Sequence, residues 1–411
     1  MTDVDVALLG ATGFVGRLVA AYLVEHAPAD LRIALAGRDE GRLSAARRSL
    51  GPRAADWPFV LADTGEPRSL AALAARARVV ATTAGPYAGR GLALVEACAR
   101  AGTDYADLSG EVLFVRDSID AAHQVAVGTG ARVVHACGFD SIPSDLGVLL
   151  LHRAATADGA GGLTDTTYLL TGVRGGVSGG TIATGLAQLA ETRADRSRAR
   201  LAADPYALSP DRAAEPDRRG HRCGPDTGGP AYDRASGRWA APWAMAPFNT
   251  RVVRRSNALL DHGYGPDFCY REVMATGRGR LGAVRAVGLT AGLGLAAGAA
   301  RLGPVRDLAA RFLPGAGEGP DERTRSAGFF RVELRSRTAD GTPYLAEVAA
   351  RGDPGYAATA VMFGETALCL ALDRDRTPRR AGVLTPATAL GQPLVERLRA
   401  AGLTLEARRE R

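Results

Sequence analysis

Residues 4 to 38 constrain the chain most. The apolar run Val4-Asp5-Val6-Ala7-Leu8-Leu9 leads straight into Gly10-Ala11-Thr12-Gly13-Phe14-Val15-Gly16, and Ile33-Ala34-Leu35-Ala36-Gly37-Arg38 follows. The order reads as strand, glycine turn, helix, strand. Gly10 lets the chain turn out of the strand, Gly13 lets the backbone approach a pyrophosphate, and Gly16 lets the helix pack closely on the sheet. The helix predicted from about Gly13 to Glu25 presents free N–H groups and its positive dipole end to phosphates. Thr12, Phe14 and Val15 complete a predicted dinucleotide-binding loop.

The end of the second strand selects the dinucleotide. An acidic residue there would bind the adenosine ribose hydroxyls and repel a 2′-phosphate. This chain has Arg38, with Arg42 one helical turn on. A guanidinium can hold a phosphate through two parallel hydrogen bonds. The expected cofactor is therefore NADP(H). Asp39 leaves room for NAD, and a solvated loop arginine is the plainer reading of Arg38.

At 411 residues the chain is too long for one ordinary core, so two domains are expected. It contains no lysine, which excludes Schiff-base and lysine-base catalysis. The net charge of +7 is spread along the chain, and its densest basic run, Arg193 to Arg200, lacks aromatics, so no nucleic-acid partner is expected. The five cysteines form no Cys-x-x-Cys pair and have no histidine at ligand spacing, so no metal is expected. Their odd count, and a first strand beginning almost at the N-terminus, point to a cytoplasmic protein without a targeting segment.

The pattern predicts an α/β protein. Over residues 1–140 strands and helices alternate with short connections, the mark of a Rossmann-type doubly wound parallel sheet. Residues 141–350 read as a second, α+β domain that carries substrate. It has a mixed sheet, including paired strands across Asp340-Gly341, and a flexible insertion near 205–230. Residues 351–411 read as a C-terminal helical segment that returns to the first domain. Ala286 to Ala300 is uncharged and rich in glycine and alanine, roughly five residues short of a bilayer span. It is expected in the interior or at a subunit contact; a peripheral membrane contact through 281–302 is the alternative.

In an open parallel sheet, ligands bind beyond the carboxyl ends of the strands. Asp63 stands at one such end, either to accept from an adenine amino group or to cap the next helix. Ala84, Gly85 and Pro86 follow the fourth strand, where the nicotinamide half of a cofactor would lie. Tyr87 beside them could stack on that ring, donate a proton or simply start a helix. Asp140 could serve as an acid if desolvation raised its pKa, and Ser141 could cap the helix starting near Pro143. Tyr87, Asp140 and Ser141 are the catalytic candidates. The turn Ser178-Gly179-Gly180-Thr181 could hold an anionic group through backbone N–H donors. Tyr105, Asp107, Ser109 and Glu111 read as hydrogen-bonded scaffolding.

Gly10-Ala-Thr-Gly-Phe-Val-Gly16, Ala36-Gly-Arg38, Ala84-Gly-Pro-Tyr87, Tyr105-Ala-Asp-Leu-Ser-Gly-Glu111 and Gly138-Phe-Asp-Ser-Ile-Pro-Ser-Asp145 stand in the order found in saccharopine dehydrogenase-like oxidoreductases. Within that family the chain most resembles the trans-acting enoyl reductases of lipid and polyketide synthesis; Ser178 to Thr181 and Gly382-Val-Leu-Thr-Pro386 fit as well. The resemblance is dense over the first 150 residues and thin from about 190 to 330. It implies an NADP-binding first domain, a second α/β domain over the cofactor, and NADPH-dependent reduction of an acyl or polyketide chain, with a carrier-bound chain as one form of that substrate. A saccharopine-type amino-acid or imine oxidoreductase is the alternative, though the arginine and lysine set suited to dicarboxylates is incomplete without lysine. A non-catalytic, membrane-associated NADP-binding protein is the third reading, and a homodimer is left open.

Overall fold

The computed structural model describes residues 2–175, 191–216, 226, 228–299 and 319–410. The strands are β1 (Val4–Leu9), β2 (Ile33–Gly37), β3 (Phe59–Leu61), β4 (Ala77–Thr82), β5 (Asp104–Asp107), β6 (Arg132–Val134), β7 (Leu163–Arg174), β8 (Ala231–Asp233), β9 (Arg238–Pro242), β10 (Cys269–Gly277), β11 (Phe329–Thr338), β12 (Pro343–Arg351), β13 (Gly382–Leu384) and β14 (Thr404–Arg409). They form two sheets of seven, in the orders β13-β6-β5-β4-β1-β2-β3 and β14-β12-β11-β7-β10-β9-β8.

The first sheet is parallel throughout. Helices cover its faces: α1 (Phe14–His26), α2 (Glu40–Ser49), α3 (Pro67–Arg76), α4 (Leu92–Ala101) and α5 (Val112–Thr129). A parallel sheet covered on both sides wants strands that are apolar on both sides, and every residue of β1 is buried. The second sheet is mixed. β7 pairs parallel with β10 and antiparallel with β11, and β11–β12 is a hairpin closed at Asp340-Gly341, where Gly341 takes φ +85°. The helix α6 (Ile142–Ala157) lies on this sheet. A Cβ on Gly147 would come within 2.6 Å of Leu334, so a glycine is needed for that close approach.

The C-terminal segment is more than helical. Helix Thr359–Leu372 packs against α1, β4 and β5, β13 adds an edge to the first sheet beside β6, and β14 adds an edge to the second beside β12. Asp104 and Arg132 bolt this segment down. Both are 2% exposed, Arg132 also donates to Thr377 Oγ1 (2.8 Å) and Leu370 O (2.9 Å), and Arg374 reaches Asp104 at 3.0 Å. Removing one partner of such a buried pair strands the other charge, at a cost of about 3–5 kcal/mol.

Two expectations meet a different structure. Residues 205–216, expected to begin a flexible insertion, are turns that bury Ala207 and Leu208, with Leu208 O taken by Arg255 and Ala207 O by Arg116. The helix Gly279–Ala299 departs from the interior half of its expectation, while a subunit contact is left open: its start rests on β9 and β10, whereas Leu281, Val284, Val287 and Leu295 are 55–76% exposed and Gly288, Gly292, Gly294 and Gly298 face open space. Among the described residues, the helix long and apolar enough to cross a membrane is Pro354–Leu372, which is 78% buried as a core helix.

Candidate functional site

The glycine loop has the geometry its spacing predicts. Gly10 leaves β1 at φ +87°, and Gly13 donates its N–H to Gly10 O at 2.9 Å. The first helical bond runs from Arg17 N to Gly13 O, so the N–H groups of Phe14, Val15 and Gly16 come before any acceptor within α1. The first turn of α1 holds no acidic side chain. A Cβ on Gly16 would lie 2.1 Å from Gly10 O, so only glycine lets the helix start so close to the strand. With Thr12 beside it, this cradle fits a diphosphate.

Arg38 is exposed at the end of β2 and forms no ion pair with a described residue. Asp39, which had left NAD open, spends its carboxylate capping α2, accepting from Arg42 N at 2.9 Å. Arg38 thus faces solvent as a cation suited to a 2′-phosphate, while exposed Arg42 lies 4.0 Å from the Asp39 carboxylate. Asp63 does not cap α3, whose N-cap is Glu66; it accepts from Gly65 N at 2.8 Å in a local turn after β3.

After β4 the chain runs through Thr83, which donates its N–H to Leu9 O at 2.9 Å, into accessible Ala84, Gly85 and Pro86. Buried Glu111 shapes this turn, accepting from Tyr87 N at 3.1 Å and Ala88 N at 2.6 Å. Tyr87 lies behind the turn. Its hydroxyl donates to Thr82 O at 3.1 Å and accepts from Leu108 N at 3.2 Å, its ring stacks on Phe114, and burial pushes its pKa well up. The phenol has no free proton and no open face.

Beneath these loops, Asp107 accepts from Ser109 N and Oγ (3.0 and 2.8 Å), Ala136 N (3.1 Å) and Tyr105 OH (2.9 Å), and faces His135 Nδ1 at 2.7 Å. His135 Nε2 is in turn 2.7 Å from Ser118 Oγ. The order serine, histidine, aspartate is that of a hydrolytic triad, but none of the three is more than 3% exposed. It is a sealed strut tying β5, α5 and β6. Burial works against the charge of Asp107, yet His135 and these donors hold its carboxyl below the ordinary value.

The loop from Cys137 to Asp145 is where the two sheets meet. Cys137 N donates to Asp107 O (2.8 Å), Phe139 N to Thr359 Oγ1 (3.1 Å), and the Phe139 ring lies 4.7 Å from that of Phe330 on β11. Asp140 is partly accessible at the bottom of this junction and accepts no hydrogen bond from a described side chain, and desolvation pushes its carboxyl up to about 6. Ser141 does not cap α6 with its side chain. It is fully buried and donates to Asn249 Oδ1 at 3.1 Å.

Asn249 belongs to a network that sequence reasoning missed. Asn249 Nδ2 donates to Glu272 Oε2 at 2.9 Å, and Glu272 Oε1 accepts from Ser144 Oγ (2.7 Å) and Tyr270 OH (2.8 Å). Glu272 is 1% exposed, and burial pushes its carboxyl up to about 7. Tyr168, its register partner on β7, is buried beside it and feels the charge of both Glu272 and Asp140. The available signal was period two: Tyr270 and Glu272 share the inward side of β10 while Arg271 points out. Ser178 to Thr181 lies outside the described residues.

The saccharopine dehydrogenase NADP binding domain family matches residues 6–134, the span that carries the glycine loop, Arg38, Asp63 and Ala84 to Tyr87. A Mycobacterium tuberculosis (strain ATCC 25618 / H37Rv) protein, named as a candidate trans-acting enoyl reductase, is 51% identical over 420 residues, covering 99% of this chain and 98% of its own length. The trans-acting enoyl reductase of Mycobacterium ulcerans (strain Agy99) is 45% identical over 424 residues, covering 99% and 98%. Among solved structures, the apo saccharopine dehydrogenase (L-Glu forming) of Saccharomyces cerevisiae superposes with a TM-score of 0.55 at 15% identity, over 99% of this chain and 100% of that one, a likeness of fold. An NADP-binding cradle within a chain so close to these relatives along its whole length makes it a member of the trans-acting enoyl reductase family, NADPH-dependent oxidoreductases on the saccharopine dehydrogenase fold.

Proposed function

We propose that this chain reduces the carbon–carbon double bond of an α,β-unsaturated acyl thioester, the acyl chain being presented on a carrier, and that Asp140 supplies the proton. Bound NADPH supplies the hydride, which goes to the β-carbon. The loop Gly10 to Gly16 holds the diphosphate, Arg38 the 2′-phosphate, and Ala84, Gly85 and Pro86 line the nicotinamide end. Asp140 keeps a proton on its carboxyl at moderately acid pH and gives it to the α-carbon, so the double bond gains one hydride and one proton. Ser141, through Asn249 and Glu272, holds the Asp140 loop in place. Tyr87 supports the wall behind the turn and takes no part in proton transfer.

The observation that carries this reading is Asp140: a partly accessible carboxyl without a hydrogen-bonding side-chain partner among the described residues, raised by burial, at the junction of the two domains. The test is NADPH oxidation with enoyl thioesters compared with an oxo acid plus an amino acid. Turnover of the thioester supports the proposal. Turnover with only the oxo acid and amino acid would establish the saccharopine-type alternative, and tight NADPH binding without either would leave a non-catalytic carrier.

The exposed apolar face around Leu281, Val284, Val287 and Leu295 supports a peripheral lipid contact for the same protein, since Arg278, Arg280 and Arg285 at its start are exposed and suit anionic headgroups. Flotation with anionic phospholipid vesicles that Leu295→Asp abolishes would support it; failure to float would end it.

A further inference from the structure

The cofactor cradle is touched from the second domain. The short helix Glu322–Ser326 places the guanidinium of Arg325 over the ring of Phe14, 5.4 Å from its centroid. Phe14 is the first residue of α1, so its own N–H is one of the unsatisfied donors of the diphosphate cradle. Tyr356 braces the same ring edge-on at 4.9 Å, and a Cβ on Gly319 would fall 2.4 Å from it, so Phe14 is enclosed by second-domain and C-terminal residues on several sides.

The backbone of Arg325 is fixed. Asp353 N donates to Arg325 O at 2.8 Å, Gly328 N to the same oxygen at 3.2 Å, and Gly352 N to Gly328 O at 2.9 Å. Its side chain is far less committed. Nη1 donates to Pro320 O at 2.5 Å, and the guanidinium forms no salt bridge with a described carboxylate. Asp321 and Asp353 both feel the charge of Arg325 but form no salt bridge with it: Asp321 accepts from Thr324 N at 2.8 Å, and Asp353 accepts from Ala357 N at 3.0 Å while its other oxygen is buried without a partner. A half-buried guanidinium with uncommitted donors is thus held over the first residue of an anion-binding helix.

We infer that Arg325 is a cofactor-binding residue: it contacts the diphosphate of the dinucleotide from the second domain, opposite the α1 N–H groups. This rests on reading the glycine loop as the diphosphate site. A planar guanidinium can take two phosphate oxygens at once. Its target is the part common to NADPH and NADH, whereas that of Arg38 is the 2′-phosphate found only in NADPH. The two arginines therefore make separable contributions.

The experiment measures dissociation constants of NADPH, NADH and 2′-AMP for the wild type, Arg325→Ala, Arg325→Gln and Gly13→Asp, by fluorescence titration over a range of salt concentrations. Loss of a charge-assisted contact weakens binding about tenfold. The inference predicts that Arg325→Ala and Arg325→Gln weaken NADPH and NADH by the same factor, flatten the salt dependence of both, and leave 2′-AMP, which lacks the diphosphate, unchanged. Unchanged NADPH and NADH binding overturns it, as does a loss confined to NADPH or shared with 2′-AMP. Arg325→Gln keeps a polar side chain on the Phe14 ring, so its result stands if the alanine variant does not fold. Gly13→Asp puts a carboxylate in the cradle: if it leaves NADPH binding intact, the diphosphate reading itself has failed, a result separate from any seen at Arg325.

Discussion

Asp140→Asn removes one proton and changes little else. Asn is isosteric, and no described side chain hydrogen-bonds Asp140, so no local bond is lost. In the wild type the carboxyl is pushed to about 6 by burial. A donor must be protonated, so the acid form is abundant below pH 6 and declines above it. At pH 7 roughly one molecule in eleven carries the proton, and at pH 5 about ten in eleven, so kcat/KM should rise roughly tenfold between those pH values. General acid catalysis contributes about 10²–10⁴-fold, so the variant should lose that much at pH 5 and about tenfold less at pH 7, where most wild-type molecules are already deprotonated.

The same shift sets a stability change of opposite sense. Because the folded pKa lies above the ordinary 3.8, the stability tied to this group is complete below that value and is lost as pH rises through about 6. Two units correspond to about 3 kcal/mol, so the asparagine variant should melt higher than wild type above pH 6 while turning over more slowly. The assay is steady-state NADPH oxidation with an enoyl thioester from pH 5 to 8, alongside thermal melts in the same buffers. If the variant stays within about threefold of wild type at pH 5, or keeps a limb near pH 6, Asp140 is not the donor.

Other perturbations separate binding from positioning. Glu272→Ala strands donors from Ser144, Tyr270 and Asn249, which should cost several kcal/mol at about 1–3 kcal/mol per orphaned group. Glu272→Gln keeps an acceptor for Ser144 and Tyr270, and Asn249 can turn its amide to face it. Since the folded pKa of Glu272 is about 7 against an ordinary 4.5, wild-type stability should fall as pH rises from 4.5 through 7, and the glutamine variant should lose that slope in thermal melts. Arg38→Asp should weaken NADPH binding far more than NADH binding, and equal losses would reject the 2′-phosphate assignment. Gly16→Ala should abolish binding of both dinucleotides, because its methyl would sit 2.1 Å from Gly10 O and push α1 off the strand; near-normal affinity would contradict the close packing.

What was legible in the sequence was local. β1, the glycine loop and α1 are contiguous, Gly10 needs its positive φ, and Gly16 is required by Gly10 O six residues back, so pattern and structure coincide. Asp140 could be singled out for a similar reason, because its loop follows β6 at the carboxyl edge of a parallel sheet, the edge at which such sheets bind ligands. Tyr87 shows the limit: its place after β4 was clear, but Glu111, 24 residues on, turns the backbone so that the ring goes inward. Glu272 and Asn249 lie beyond that range. Ser144 reaches Glu272 across 128 residues and Ser141 reaches Asn249 across 108, through the packing of α6 on the helix Ala246–Leu259 and of that helix on β10. The helix Gly279–Ala299 misled for another reason: a run of glycine, alanine and leucine without charge has no polar stripe from which to read which side is buried.

The Asp140 loop is held by every part of the chain. Cys137 is tied to β5 of the first sheet, Phe139 to Thr359 of the C-terminal helix and to Phe330 of the second sheet, and Ser141 to the helix Ala246–Leu259. Four residues on, Asp145 accepts from Ser256 Oγ and from Ala387 N, joining α6 to the segment that also supplies β13. A carboxyl fixed from so many directions is preorganised, which would favour the proposed proton transfer without reorganisation of the site. It also means that the loop has little freedom to move aside for a bulky acyl chain. The glycine loop is braced across the same junction by other means, with Arg325, Tyr356 and Gly319 all set against the Phe14 ring. Both loops are therefore tied between the domains, that of Asp140 by hydrogen bonds and the glycine loop by ring contacts, so ligands have to enter between two walls that are each already positioned.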